Sequence, residues 1–399
     1  MLVCGITAEY DPFHNGHLYQ TAVLREQGFT HIVAVMGGNF SQRGTASALS
    51  KKAKVEAALD SGVDLVIELP VCCCLSGAEG FAKGGVFLLH SICATDAIAF
   101  GSECGDIEIL KHAAAACVSP EVDEYIRKRL SSASGYAQIR EEAVRTLYGN
   151  RIADALKQPN DILAIEYIKA AMSLGYTGEL IPVKRTGAQH DSDVSEGGVA
   201  SASYIRSLAD LDMISKYVPD ATFSIIKQEF EAGRYPADND RLSPALVSRL
   251  RTLPPEFFSE LPDISEGLEN RIYNAVRQLG TIDEIVKSAT SKRHPSSRIR
   301  RILTCAAIGI SFKDSKTLPR YIRPLGATDK GIELLGQISK HATLPLFAKS
   351  SQINDLDDRA RRQFDLECSA SDLYTIATPT PYPCGEEMTS KFIHSPAVH

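Results

Sequence analysis

The sequence predicts an α/β fold over residues 1–215, a parallel sheet with crossover helices, followed by a mainly helical domain over residues 216–399. Three observations predict it. Short apolar runs alternate with helix-patterned segments through the first half. Three of those runs end in glycine or polar residues. The alternation stops near residues 210 to 220, beyond which helical periodicity dominates. Strand–helix–strand alternation places parallel strands in one sheet. The loops at the carboxyl ends of such a Rossmann-like sheet are where ligands collect.

Leu2 to Ile6 is the first strand, and the stretch Thr7-Ala8-Glu9-Tyr10-Asp11-Pro12-Phe13-His14-Asn15-Gly16-His17 follows it. Pro12 and Phe13 shape the loop, and Leu18, Tyr19, Ala22, Val23 and Leu24 begin an amphipathic helix, so His17 falls in the first helical turn. Unpaired N–H groups and the positive end of the dipole favour an anion there. Gly16 lets a phosphate approach the backbone closely, and His14 and His17 add donors aimed at charge on a departing pyrophosphate. An H-x-G-H tetrapeptide also arises by chance, and a histidine beside a turn is often only a cap. Its place after a buried strand is what points to a nucleotide triphosphate cradle.

The second strand, His31 to Met36, runs into Gly37-Gly38-Asn39; Ser50 to Leu59 is helical. Val63 to Leu69 is the third strand, closing on Glu68-Leu69-Pro70, and Glu79 to Leu89 is helical. Thr95 to Phe100 is the fourth, opening onto Gly101-Ser102-Glu103. Residues 106 to 150 are helical in pattern and polar at intervals, as in an insertion. Asn160 to Ile168 begins an amphipathic helix that Asn160 or Asp161 can cap. Leu180 to Val183 is the fifth strand, leading through Lys184-Arg185 into a polar loop from Gly187 to Gly198 that reads as a mobile lid. Ser201-Ala202-Ser203-Tyr204-Ile205-Arg206 then sets two hydroxyls and an arginine at a helix start.

A chain of 399 residues can bury at least one large core, and no run reaches the roughly 18 apolar residues of a membrane span. With no basic-then-apolar leader pattern at the N-terminus, a cytoplasmic protein is expected. Ten cysteines are present, of which Cys4, Cys72, Cys73, Cys74, Cys93, Cys104 and Cys117 lie mainly in apolar patterns and read as reduced core residues. No C-x-x-C pair occurs, and Cys72 and Cys74 lack metal-site spacing, so no metal site is expected. The net charge of −6 argues against indiscriminate polyanion binding by the whole surface.

In the second half, Ile285 to Lys313 holds Lys287, Lys292, Arg293, Arg298, Arg300, Arg301 and Lys313 and no acidic residue. Ile299, Ile302, Leu303, Ala306 and Ile310 recur at helical spacing, so Arg298, Arg300 and Arg301 ring one end of a docked helix. A solvated basic face explains this equally well. The sharper reading is a nucleic-acid backbone site, with Lys292-Arg293-His294-Pro295 as an exposed loop able to reach it. From about Ala377 no period persists, and an irregular tail is expected.

Taken together, H-x-G-H after a first strand and Ser201-x-Ser203-x-Ile205-Arg206 downstream resemble the paired signatures of the HIGH-type nucleotidyltransferase superfamily. Ala202 replaces a serine of the second signature. Glu9 to His17, Met36-x-Gly38-Asn39-Phe40-x-Gln42-Arg43-Gly44, Gly62-Val63-Asp64-Leu65-Val66-x-Glu68-Leu69-Pro70, Glu266-Gly267-Leu268-Glu269-Asn270-Arg271-Ile272 and Arg298-Ile299-Arg300-Arg301-Ile302-Leu303 resemble the tRNA(Met) cytidine acetate ligase family over most of the chain. The family usually has asparagine at Asp11 and aspartate at Ser50, so Asp11 brings another carboxylate near the phosphates.

The resemblance implies ATP-dependent activation of acetate to acetyl adenylate, then acetylation of the wobble cytidine of elongator tRNA(Met) to 4-acetylcytidine. It carries the nucleotide pocket onto Thr7, Ala8, Glu9, Tyr10, Asp11, Pro12, Phe13, His14, Asn15, Gly16, His17, Leu18, Tyr19 and Gln20, with Gly101, Asn160 and Arg185. Ser201 and Ser203 join it through the second signature. Acetate is already an anion, so the first step needs placement and charge neutralisation more than a base. His14 and His17, with Arg185, Arg206 and Lys51, are the candidates, and Mg²⁺ would accompany the ATP. Lys292, Arg293, Arg298, Arg300 and Arg301 would hold the tRNA backbone. Two other readings fit the N-terminal motifs: a small-molecule adenylyltransferase, and a protein that binds nucleotide or RNA without turnover.

Overall fold

The computed structural model describes residues 1–129, 135–185, 198–265 and 267–396. Five parallel strands form its centre: β1 (Val3–Ala8), β2 (His31–Gly37), β3 (Leu65–Leu69), β4 (Ala97–Ser102) and β5 (Glu179–Lys184). All seven residues of β2 and all five of β3 are buried, as a parallel sheet covered on both faces requires. The sheet order is β5-β4-β1-β2-β3, continued by two strands from far along the chain, β6 (Pro324–Ala327) and β7 (Ile393–His394). Strand order reverses between β1 and β4, so a crevice opens beyond their carboxyl ends.

Helices α1 (Asn15–Glu26), α2 (Lys51–Asp60), α3 (Ala78–Ser91) and α4 (Pro159–Leu174) supply the crossovers. Glycine lets α3 lie close on β1: a Cβ on Gly85 would fall 2.4 Å from Thr7 Oγ1, and one on Gly5 would fall 2.6 Å from Leu89 Cδ2. The segment after β4 is indeed helical, Ile107–Cys117, Pro120–Arg129, Tyr136–Tyr148 and Asn150–Asp154, and its buried Leu110, Val122, Ile139 and Val144 belong to the main core. The expected lid falls, from Gly187 to residue 197, outside the described residues.

Sheet membership crosses the boundary expected near residue 215. β6 pairs antiparallel with β3, and β7 parallel with β6. The tail expected to be irregular carries a short helical turn, Glu386–Thr389, as well as β7. Asp64 fastens this edge: its carboxylate accepts the Ile32 N–H at 2.7 Å and pairs with Arg25 at 2.6 Å, while its carbonyl accepts the Thr328 N–H at 2.9 Å.

The same edge of the sheet, at the carboxyl end of β3, encloses a buried ion cluster. Lys51 Nζ reaches Glu68 at 2.5 Å and also Glu387, and Arg323 spans Glu68 at 3.2 Å and Glu387 at 2.5 Å. Burial alone would raise the Glu387 pKa, but Lys51 and Arg323 bring it down to about 2. Ser371, on the late helix Asp358–Tyr374, donates to Glu387 and accepts from Asn39 at 3.0 Å. Removing one partner of such a cluster typically costs about 3–5 kcal/mol.

All ten cysteines are free. Cys72, Cys73 and Cys74 lie buried in a helical turn, Val71–Cys74, and Cys93 is exposed, contrary to its expected core position. No helix among the described residues is long and apolar enough to cross a membrane.

Candidate active site

Beyond the ends of β1 and β4 lies a cavity of about 910 Å³. Leaving β1, the chain turns at Tyr10, whose φ of 47° is left-handed, and passes a cis Asp11–Pro12 bond. Tyr10 and Phe13 drop into the core with ring centroids 4.8 Å apart. His17 packs edge-on against Tyr10 at 4.9 Å.

His14 is the N-cap of α1, and His17 stands three residues later. Nδ1 of His14 accepts the Gly16 N–H at 3.1 Å, and Nδ1 of His17 accepts the His14 N–H at 3.2 Å, a reciprocal capping box built from imidazoles. An accepting Nδ1 fixes each neutral ring with its proton on Nε2. Burial, then the Arg185 charge, lowers the His14 pKa to about 3. Burial, then His14 and Arg185, holds His17 well below the usual histidine range. Both rings are therefore neutral donors. Gly16 has a reason the sequence hid: a Cβ there would fall 2.9 Å from His14 Cε1, so the glycine makes room for the cap itself.

Helix α5 (Ala202–Ser207) closes one wall. Ser201 caps it by accepting the Tyr204 N–H at 3.2 Å, and Ser203 accepts from Arg206 at 3.3 Å. Arg206 also donates to the Asp11 carbonyl at 2.6 Å and lies 3.6 Å from its carboxylate, which accepts the Ala48 N–H at 2.8 Å. Asp11 thereby locks the loop. Lys54, buried on α2, braces it from behind by donating to the carbonyls of Glu9, Gly37 and Gly38; burial lowers its pKa against the pull of Asp11 and Glu9.

On the β4 side, Gly101 faces Arg185, whose backbone N–H donates to the Ser102 carbonyl at 2.9 Å. The Arg185 guanidinium has no ion-pair partner among the described residues. α4 begins at Pro159 with Gln158 as an unbonded N-cap, so neither Asn160 nor Asp161 caps it. Asp161 instead gathers Ser102 Oγ at 2.5 Å and the Glu103 N–H at 2.9 Å, and burial raises its pKa. Asn160 donates from Nδ2 to Glu103 at 2.6 Å and keeps its amide oxygen.

Thr7, Ala8, Glu9, Tyr10, Asp11, His14, Gly16, His17, Tyr19, Gln20, Gly101, Asn160, Arg185, Ser201, Ser203 and Arg206 all line the cavity. Pro12, Phe13, Asn15 and Leu18 do not. Phe13 is fully buried beneath the loop, and Asn15 ties α1 to the Gly198 carbonyl at 3.2 Å. Contrary to its expected place among the phosphates, Lys51 sits in the ion cluster, off the cavity. Arg43, Arg151 and Lys184 line the cavity unpredicted. Arg43 stands inside the Met36 to Gly44 motif and Lys184 precedes Arg185 after the fifth strand, but Arg151 comes from the helical insertion, where no motif marks it.

The basic helix exists as α6 (Ser296–Ile308), with its apolar stripe buried. Its arginines have partners. Arg298 donates to the Asp263 carbonyl at 2.6 Å, Arg300 pairs with Asp283 at 2.8 Å, and Arg301 reaches the Gln42 carbonyl at 3.3 Å and Asp263 at 3.5 Å. The acidic partners lie outside the interval that looked purely basic. Lys292 and Arg293 are exposed. α6 also carries a cavity wall: Gly44 (φ 77°) presses on it so closely that a Cβ would fall 2.5 Å from Arg301 N, and Thr304 donates to the Gly44 carbonyl at 2.8 Å.

This geometry has counterparts among known proteins. The HIGH Nucleotidyl Transferase family model matches residues 1–387. The tRNA(Met) cytidine acetate ligase of Acetivibrio thermocellus is 36% identical over 413 residues, covering 98% of this chain and 100% of the relative. That of Thermoanaerobacter sp. is 38% identical over 388 residues, covering 94% and 96%. The crystal structure of Thermotoga maritima TmcAL bound with alpha-thio ATP superposes with a TM-score of 0.91 at 30% identity, covering 99% of this chain and 100% of that one; the apo form gives 0.93.

Proposed function

The chain belongs to the HIGH nucleotidyltransferases and, within them, to the tRNA(Met) cytidine acetate ligases, and from that premise we propose the following reaction on its cavity. It is an ATP-dependent ligase that activates acetate as acetyl adenylate and transfers the acetyl group to the wobble cytidine of elongator tRNA(Met), giving 4-acetylcytidine, AMP and pyrophosphate. The observation that carries this reading is the pair of neutral, backbone-locked imidazoles at the α1 N-terminus, facing one cavity with Arg185 and Arg206.

In the first step an acetate oxygen attacks the α-phosphorus and the bond to pyrophosphate breaks. His14 and His17 donate through Nε2–H to the phosphates, Arg185 and Arg206 neutralise charge gathering on pyrophosphate, and the helix start adds its N–H groups. Gly101 gives the adenosine a flat backbone to lie on, and Asn160 offers its amide oxygen. Mg²⁺ would accompany the triphosphate. Among the described residues no three His, Cys, Asp or Glu side chains converge as a metal cage, so phosphate oxygens would hold it.

In the second step the cytidine amine attacks the acetyl carbon and AMP leaves. That amine is a weak nucleophile, so the base must be held unstacked against the adenylate with water excluded. Lys292 and Arg293 on the exposed loop, with Arg298, Arg300 and Arg301 behind them, form the proposed tRNA contact. The test is incubation with ATP, acetate and tRNA(Met), followed by nucleoside mass analysis. 4-Acetylcytidine formed without acetyl-CoA is the expected result, and AMP transfer to a small molecule with unmodified tRNA would instead support an adenylyltransferase.

A further inference from the structure

Acylating an amine releases a proton, and something in the cavity must take it. The stacked histidines cannot: each Nδ1 lone pair is committed to a backbone N–H, and each Nε2 already carries its proton. The cavity carboxylates are mostly committed too. Asp11 holds Ala48 and Arg206, Asp161 holds the loop after β4, Glu103 holds Asn160 and the Asp161 N–H at 2.8 Å, and Asp154 pairs with Lys157 at 3.1 Å.

Glu9 is different. Its Oε1 accepts the Gln42 N–H at 2.5 Å, which fixes the carboxylate, and no described residue hydrogen-bonds its Oε2. It stands at the end of β1, at the point where strand order reverses, and lines the cavity shared by His14, His17 and Arg206. We propose that Glu9 is the catalytic base of acetyl transfer, accepting at Oε2 the proton that the cytidine amine loses.

This rests on the ligase reading above. The amine lone pair forms the C–N bond to the acetyl carbon, and the C–O bond to AMP breaks with its electron pair going to the phosphate oxygen. One N–H proton passes to Glu9, which returns it to solvent before the next turnover. Burial raises the Glu9 pKa from its ordinary carboxylate value, while the Gln42 hydrogen bond and the charges of Lys54 and Arg206 oppose that rise and Asp11 adds to it. Tyr167 and Cys74, on the neighbouring helices, have pKa values raised first by burial, and they also feel the Glu9 charge, which raises the pKa of each further.

Glu9→Gln keeps an acceptor for the Gln42 N–H and nearly the same volume, yet cannot take a proton. Acetate-dependent pyrophosphate exchange and single-turnover transfer from preformed acetyl adenylate to tRNA(Met) are measured across pH for parent, Glu9→Gln and Glu9→Asp. In Glu9→Gln, transfer should fall by about 100-fold or more, far beyond any fall in exchange, and the rise of transfer with pH that belongs to Glu9 should vanish. Glu9→Asp should recover part of the rate and the pH dependence. Transfer by Glu9→Gln that tracks the parent at every pH, or exchange and transfer lost by the same factor, would overturn the assignment. A parent without acetate-dependent exchange would overturn the ligase reading itself, and that failure is seen before any variant is compared.

Discussion

His14 and His17 stack with ring centroids 3.7 Å apart and 18° between their planes, each accepting a backbone N–H of the same helix start. Two imidazoles at that distance cannot both be charged, and both are held neutral. Folded, they resist protonation; unfolded, they take protons below about pH 6.5. Their contribution to stability is therefore present above that pH and is lost as pH falls toward the His14 value of about 3. Urea unfolding of the parent between neutral and mildly acidic pH should show stability falling by up to about 1.4 kcal/mol per pH unit for each histidine. His17→Asn should flatten that slope, and an unchanged slope would mean that the rings are not neutral in the fold.

Gly16→Ala puts a methyl group into the His14 ring. The overpacking should cost about 1–3 kcal/mol at most, and the displaced cap should raise the KM for ATP by about tenfold. Steady-state kinetics together with a thermal melt separate the two effects. A normal KM with only a lowered melting temperature would show that the His14 position does not matter to the nucleotide.

Lys51→Met breaks the ion cluster and leaves Arg323 as the only cation paired with Glu68 and Glu387 among the described residues. A loss of about 3–5 kcal/mol in urea unfolding is expected, with pyrophosphate exchange persisting in whatever remains folded. Abolished exchange in a fully stable protein would return Lys51 to the phosphates.

The paired change Lys292→Ala with Arg293→Ala should weaken tRNA binding and lower the slope of log affinity against log salt by about 0.7–0.9 for each phosphate no longer neutralised. Arg301→Ala should behave differently. It releases the Gln42 carbonyl and with it the loop lining the cavity, so exchange should fall along with tRNA binding. If Arg301→Ala weakened only the tRNA, its bond to Gln42 would be of no catalytic consequence.

The five parallel strands were legible because apolar runs bounded by glycine and polar residues have a signal of their own, and the pocket wall around His14 and His17 followed from one continuous motif at the first strand end. β6 and β7, four and two residues long, are too short to carry a period. Lys51 was misplaced for a related reason. A lysine at a helix start beside a strand end reads as a phosphate ligand, and what claims it are the carboxylates of Glu68 and Glu387, far apart along the chain with no spacing to announce them. The basic stretch looked free because Asp263 and Asp283 approach it only in three dimensions. Arg151 reached the cavity from an apparent insertion by the same kind of long-range return.

Acetate-dependent exchange of pyrophosphate into ATP reports adenylate formation by itself, with the purified protein, a panel of small carboxylates, and no tRNA. The predicted result is exchange that requires acetate and is abolished by His17→Ala in a protein that still folds. Exchange that is indifferent to acetate, or that survives in His17→Ala, would contradict the ligase chemistry placed on this cavity.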